Sequence, residues 1–313
     1  MMDNMMEMSE ELFVSLPKGC KICYRTFGNP SDPAIIIISG YGMSMTQTPD
    51  AFVRLLNPPD HPHLIVQFDY RDTGRSTSFP EPPYGERAYT FDDMVDDIVG
   101  LINHLKLERV HVIGTSMGGP ISWLTAGRLP DIVESLALIF TSPVGRIQDE
   151  TDNLPSLQME GHYTLTDAFD PPTDRDDHEG WIKTYAAMSL AMATKPPTEE
   201  ERADARRMSE ITYYRERESG TMWSKTNHSD AVGVRWPREA LKLVKCPTVV
   251  IHGAKDQLFS VDHAKALRDG VEGATLVIID DCGHELPHRA LKPVADAILA
   301  NAKRGEQLKT AGK

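Results

Sequence analysis

An apolar strand that runs into a serine flanked by glycines, and from there into an apolar helix, leaves this chain few folds to choose from. Val110-His111-Val112-Ile113 leads into Gly114-Thr115-Ser116-Met117-Gly118-Gly119, and an apolar helix is expected to continue to about Leu129. A turn that sharp needs small residues two before and two after the serine, and Gly114 and Gly118 meet that demand. The geometry lifts the Ser116 hydroxyl above the end of a sheet, at a helix N-terminus. The competing reading is a glycine-rich turn holding an ordinary serine. The flanking strand and helix argue against it.

Around this element, strand-like and helix-like segments alternate, which indicates an α/β fold with a mainly parallel sheet covered by helices on both faces. Leu12–Leu16 and Lys21–Thr26 flank Pro17-Lys18-Gly19 and read as an edge hairpin. Ala34–Ile38 is wholly aliphatic, as a strand buried on both faces should be. Leu64–Phe68, Val110–Ile113, Val133–Phe140, Thr248–Ile251 and Thr275–Ile279 complete eight strands. Thr90 and Asp93 resemble a capping box opening a long helix, whose Met94, Val95, Ile98, Ile102 and Leu105 recur on one face. The acidic Asp92, Asp93, Asp96 and Asp97 are read as a solvated face. From Pro143 to Arg238 the alternation stops, and the stretch is rich in proline, charge and helix formers. The expected organisation is a core of residues 1–142 and 239–313 with a helical cap inserted at 143–238. A last helix is predicted over about Pro287–Lys303, with a loose tail from Gly305.

Composition narrows the function by exclusion. The 313 residues carry 46 acidic against 33 basic side chains, a net charge of −13. Such acidity disfavours nucleic acid and anionic membranes as partners. Four cysteines are too few for a disulfide framework. Cys20 and Cys23 form a CxxC, but a strand points residues three apart to opposite faces, and no second CxxC completes a zinc site. The Met-rich, acidic start from Met1 to Glu11 lacks the features of a signal peptide, and no apolar run reaches membrane-spanning length. A cytoplasmic location is the expectation, with no metal and no cofactor: no phosphate loop, dinucleotide fingerprint, haem signature or metal cluster is evident.

A serine hydroxyl needs a base to take its proton. If the strand-turn-helix reading is right, acid and histidine follow the serine in that order. Asp256 lies just past the strand Val249–Ile251, and His284 just past Val277–Ile279, so both would emerge at the carboxyl edge of a parallel sheet. Asp256 would hold the imidazole in the correct tautomer, and His284 would act as general base. Asp280, Asp281 and Asp262 are weaker candidates for the acid by position; among the eleven histidines, His252, His263 and His288 are placed in a strand end or helices. An oxyanion would need two backbone donors. Met117 N–H directly follows the serine, and Tyr41 N–H lies in the loop Ser39-Gly40-Tyr41-Gly42 after the third strand.

With these segments in hand, the chain resembles the α/β-hydrolase superfamily over nearly its whole length. Asp69-Tyr70-Arg71-Asp72-Thr73-Gly74-Arg75-Ser76, His252-Gly253 before Asp256, and Cys282-Gly283-His284-Glu285-Leu286-Pro287 are similar to segments of its aclacinomycin methylesterase-like group. Many relatives carry His-Gly where this chain has Ser39-Gly40, which leaves the detailed shape of the oxyanion hole open. The octapeptide is read as architectural, with Asp69 and Arg71 pairing beneath the active-site loop. The resemblance implies a cofactor-free serine hydrolase cleaving a carboxylic ester, such as the methyl ester of an aromatic or polyketide-type small molecule. Gly40, His228 and the cap residues Trp181 and Tyr185 are candidate substrate contacts, although such aromatics equally serve to pack a cap. Two alternatives stay open at this point. One keeps the triad for peptide, lactone, carbon–carbon bond or peroxidase chemistry; the other is a non-catalytic small-molecule binding protein on the same fold. The oligomeric state is not legible.

Overall fold

The computed structural model describes residues 8–157 and 172–311. Residues 1–7, 158–171 and 312–313 lie outside them. Eight strands form one sheet: β1 (Leu12–Ser15), β2 (Lys21–Phe27), β3 (Ala34–Ile38), β4 (Leu64–Phe68), β5 (Val110–Thr115), β6 (Val133–Ile139), β7 (Thr248–Gly253) and β8 (Thr275–Ile279). Their spatial order is β1-β2-β4-β3-β5-β6-β7-β8. The β1–β2–β4 pairings are antiparallel, and every pairing from β4 to β8 is parallel.

The aliphatic run of β3 is explained by its central place between β4 and β5. Ile36 and Ile38 enter one apolar core and Ile35 and Ile37 the other. The first core is covered by α2 (Phe91–His104), α3 (Gly118–Arg128) and α7 (Val261–Gly270), the second by α1 (Asp50–Leu55) and α8 (His288–Ala311). In α2 the side chains of Met94, Val95, Ile98, Leu101 and Ile102 are inaccessible to solvent. Each such burial stabilises by roughly 1.5–3 kcal/mol relative to exposure. Thr90 and Asp93 do form the capping box.

Three expectations are corrected. Only Asp92 and Asp96 of the acidic helix are solvated, and both pair with Arg128. Asp97 is buried against Arg71, and Asp93 binds Lys18 besides capping. Asp69 does not pair with Arg71, because each has found a partner on another element (Arg215 and Asp97). The chain does not loosen at Gly305: α8 runs to Ala311 because Gly305 packs directly on β6, where an added methyl would lie 2.1 Å from the Glu134 carbonyl oxygen. Cys20 and Cys23 are buried thiols with separate partners, Asp97 and Glu11.

Between β6 and β7 the chain leaves the sheet and forms α4 (His178–Leu190), α5 (Glu199–Ser219) and α6 (Thr226–Val232). Thr198 and Glu201 cap α5 reciprocally. Trp181, Ile182, Tyr185, Tyr213 and Met222 build an apolar cluster of their own within this insert.

Candidate active site

Ser116 sits in the left-handed region at φ 51°, a conformation that costs a non-glycine residue about 1–3 kcal/mol. The surroundings hold it there. Its N–H donates to the Ile139 carbonyl at 3.0 Å, and its carbonyl accepts from Gly119 N–H at 2.9 Å and Thr141 Oγ1 at 2.7 Å. The two glycines are sterically required. A methyl at Gly114 would lie 2.2 Å from Ser122 Oγ, and one at Gly118 would lie 2.2 Å from the Ile38 carbonyl oxygen.

The loops after β7 and β8 bring the other two side chains to this turn. Gly253 lets them touch, since a methyl there would stand 2.4 Å from the carbonyl oxygens of Cys282 and Gly283. Lys255 N–H donates to the Cys282 carbonyl at 2.9 Å and ties the loops together. His284 Nδ1 lies 2.9 Å from Asp256 Oδ2, and His284 Nε2 lies 3.0 Å from Ser116 Oγ. Asp256 Oδ1 accepts the N–H groups of Leu258 at 2.8 Å and Phe259 at 2.9 Å. Burial alone would raise the Asp256 carboxyl; the hydrogen bond and charge of His284, with the loop N–H, outweigh it and hold the group below the usual carboxylate range. A carboxylate there can only accept, so His284 carries its proton on Nδ1 and offers the Nε2 lone pair to the serine. His252 stands 3.6 Å from Asp256 but donates Nε2–H to the Phe259 carbonyl, while His263 binds Ser142 and His288 opens α8.

Gly40 lies over the nucleophile, where a methyl would come within 3.5 Å of Ser116 Cβ. Met117 is the N-cap of α3, one of the positions at which a helix leaves N–H groups without an intrahelical partner. Tyr41 follows Gly40 in the facing loop, with its ring half exposed and its hydroxyl 2.6 Å from Ser229 Oγ on α6.

The expected substrate contacts from the insert are placed differently. His228 is fully buried behind the Gly40–Gly42 loop. It donates Nε2–H to the Arg71 carbonyl at 2.7 Å and accepts Gly42 N–H on Nδ1 at 3.3 Å, so both nitrogens are spent on backbone. Burial pushes its pKa down to about 4. Trp181 and Tyr185 belong to the insert's own cluster. Trp181 Nε1 donates to the Asp174 carbonyl and Tyr185 donates to Glu216, so packing accounts for both rings.

Two anchoring groups were not read from the sequence. Arg215 on α5 binds the buried Asp69 carboxylate at 2.6 Å, beside Ser44 Oγ and Met45 N–H. Thr194 N–H donates at 2.9 Å to Glu285, the residue after His284. The only sequence signal for either was an acid inside a motif, with nothing to indicate its partner.

Comparison with known proteins agrees with this architecture. A sequence model of the alpha/beta hydrolase fold matches residues 33–288. Rhodomycin D methylesterase DauP of Streptomyces sp. (strain C5) is 25% identical over 290 residues, covering 88% of this chain and 93% of the relative. Rhodomycin D methylesterase DnrP of Streptomyces peucetius is also 25% identical, with the same coverage. Among solved structures, the esterase EaEST of Exiguobacterium antarcticum superposes with a TM-score of 0.67 at 22% identity, covering 93% of this chain and 98% of that one. The enol-lactonase of Burkholderia xenovorans LB400 gives 0.66 at 21% identity, covering 92% and 100%. By sequence and by architecture, the chain belongs to the alpha/beta hydrolase fold family.

Proposed function

We propose that the protein is a cofactor-free carboxylic ester hydrolase that works through an acyl-serine intermediate on Ser116. The observation that carries this reading is the unbroken hydrogen-bonded series Asp256–His284–Ser116, at 2.9 and 3.0 Å, at a strained turn that presents the hydroxyl. In the first step His284 Nε2 takes the hydroxyl proton while Ser116 Oγ attacks the ester carbonyl carbon. The negative charge gathers on the carbonyl oxygen, where the N–H groups of Met117 and Tyr41 receive it; one such donor contributes roughly 3–4 kcal/mol to the transition state. Collapse breaks the carbon–alkoxy bond, and the leaving alcohol takes its proton from His284. Water, activated by the same imidazole, then releases the acid and restores the serine.

The substrate class we infer is a methyl ester of an aromatic or polyketide-type small molecule. Support comes from the DauP and DnrP similarity and from the resemblance of Asp69–Ser76 to a segment of the aclacinomycin methylesterase-like group. The test is turnover of p-nitrophenyl acetate followed by a panel of methyl, aryl and lactone esters, with mass-spectrometric capture of acyl–Ser116. Activity should vanish in Ser116→Ala and His284→Ala. Turnover that survives Ser116→Ala removes the proposal, and a preference for lactones over methyl esters removes the substrate assignment alone.

A further inference from the structure

A second cluster of polar side chains lies at the opposite edge of the sheet from Ser116. His61 and His63 stand in the loop before β4, His111 is near the start of β5, and Glu306 lies in α8. His61 Nε2 is 2.8 Å from Glu306 Oε2; His111 Nε2 and His63 Nε2 are 3.4 and 3.8 Å from Glu306 Oε1. The ring centroids of His61 and His63 are 4.7 Å apart, and those of His63 and His111 are 5.5 Å apart. Ligand atoms of His61, His63 and Glu306 all fall within 4.8 Å of one another.

His63 and His111 are buried, at 0% and 1% exposure. Among the described residues, both nitrogens of His63, Nε2 of His111 and Oε1 of Glu306 have no hydrogen-bond partner. Buried polar atoms are rarely left so, because each forgoes its hydration without replacement. A cation held between one nitrogen of His63, Nε2 of His111 and Oε1 of Glu306, with His61 beside them, would satisfy three of these atoms at once.

We infer that His61, His63, His111 and Glu306 form a structural site for a divalent transition-metal ion, Zn²⁺ in the first instance. Three imidazoles and a carboxylate are a donor set that Zn²⁺ accepts. Ligand atoms about 2.0–2.1 Å from a tetrahedral ion stand roughly 3.3 Å from each other; Glu306 Oε1 lies 3.4 and 3.8 Å from His111 and His63, near that spacing, while His61 meets the second oxygen, Oε2. The supports are already in place. Ser135 Oγ lies 2.9 Å from His111 Nδ1 and can take its proton, which leaves Nε2 as a lone pair for the metal. Asn57 Oδ1 accepts His63 N–H at 2.9 Å. Gly28 and Gly305 permit the close approaches that set the cluster, since a methyl at Gly28 would lie 2.4 Å from the His63 carbonyl oxygen. His61, with its side chain 32% exposed, provides the way in. Four protein ligands leave no open coordination position, and His111 is five residues from Ser116, about 17 Å along a strand. The ion therefore clips the end of α8 to the sheet and takes no part in ester cleavage.

The experiment uses the full chain, stripped with a chelator and titrated with Zn²⁺ against a chromophoric competitor, with Tm followed in parallel. One ion per chain and a Tm rise of about 5 °C or more at a hundredfold excess over Kd are expected. Co²⁺ should give the intense visible bands of a tetrahedral site. His61→Ala and Glu306→Gln, both at partly exposed positions, should each weaken binding at least tenfold while keeping the far-ultraviolet circular dichroism of the parent. Parent protein that binds Zn²⁺ no better than these variants, or binds it with no change in Tm, would overturn the assignment. So would a weak octahedral Co²⁺ spectrum.

Discussion

Replacing Asp256 by Asn changes one oxygen for one NH₂ group, and the local hydrogen bonds decide which way that amide must face. Oδ1 accepts two loop N–H groups, from Leu258 and Phe259, and Oδ2 alone meets His284. The Asn oxygen must take the Oδ1 place, because the reverse rotamer sets an NH₂ against two donors and forfeits about 1–3 kcal/mol for each. Its NH₂ then points at His284 Nδ1. The imidazole answers by moving its proton to Nε2, where it donates to Ser116 Oγ and can no longer receive the serine proton. The wrong tautomer should lower kcat about 10⁴-fold, equivalent to roughly 5.4 kcal/mol of transition-state stabilisation. The assay is p-nitrophenyl acetate turnover of Asp256→Asn beside the parent, with Tm and circular dichroism as folding controls. A folded variant that keeps more than a tenth of the parent kcat would refute the role given to Asp256.

Arg215→Met leaves the Asp69 carboxylate buried without its guanidinium, and should cost about 3–5 kcal/mol in urea unfolding, with the Asp69→Asn double variant losing less than the sum. A loss under 1 kcal/mol would show that Ser44 and the backbone donors suffice. His228 is held neutral, with a folded pKa of about 4 against an ordinary 6.5, so its contribution is complete above pH 6.5 and fades as pH falls toward 4, where the unfolded chain takes the proton more readily. Parent Tm should therefore drop across that window more steeply than Tm of His228→Gln, whose amide can serve Arg71 and Gly42 but cannot titrate; parallel curves would exclude the effect.

The parts legible in sequence are those whose physics is local. The aliphatic run of β3, the Thr90 capping box and the glycines of the Ser116 turn each express a constraint between neighbours in the chain. Asp256 and His284 were reachable because both stand directly after an apolar strand, and a parallel sheet delivers all such positions to one edge. Pairings across elements were not reachable. The motif placed Asp69 and Arg71 two residues apart and suggested that they bind each other, whereas their partners Arg215 and Asp97 come from 146 and 26 residues away. His228 misled for a related reason. Sequence could place it near the site, but only the fold shows its ring nitrogens consumed by Gly42 and Arg71. The His61–Glu306 cluster draws on three separate segments, and only the pair His61-Pro62-His63 is local enough to notice.

The helices between β6 and β7 tie down two of the loops around Ser116, those of Tyr41 and His284, at several points. Through His228 and Ser229, α6 holds Gly42 N–H and the Tyr41 hydroxyl, which fixes the peptide plane following the one that carries Tyr41 N–H and the side chain between them. The stretch between α4 and α5 binds Glu285 through Thr194 and Asp281 through Lys195, on either side of His284. Arg215 of α5 fixes Asp69, which in turn orders Ser44 and Met45 at the far end of the oxyanion loop. An oxyanion hole depends on donors set before the charge develops, and a base depends on an imidazole held within hydrogen-bond reach. In the proposed mechanism both conditions draw on side chains of the insert that hold the loops rather than the reacting groups. A substitution in those helices can therefore change kcat by relaxing a loop, and a change in activity there is by itself no proof of contact with substrate.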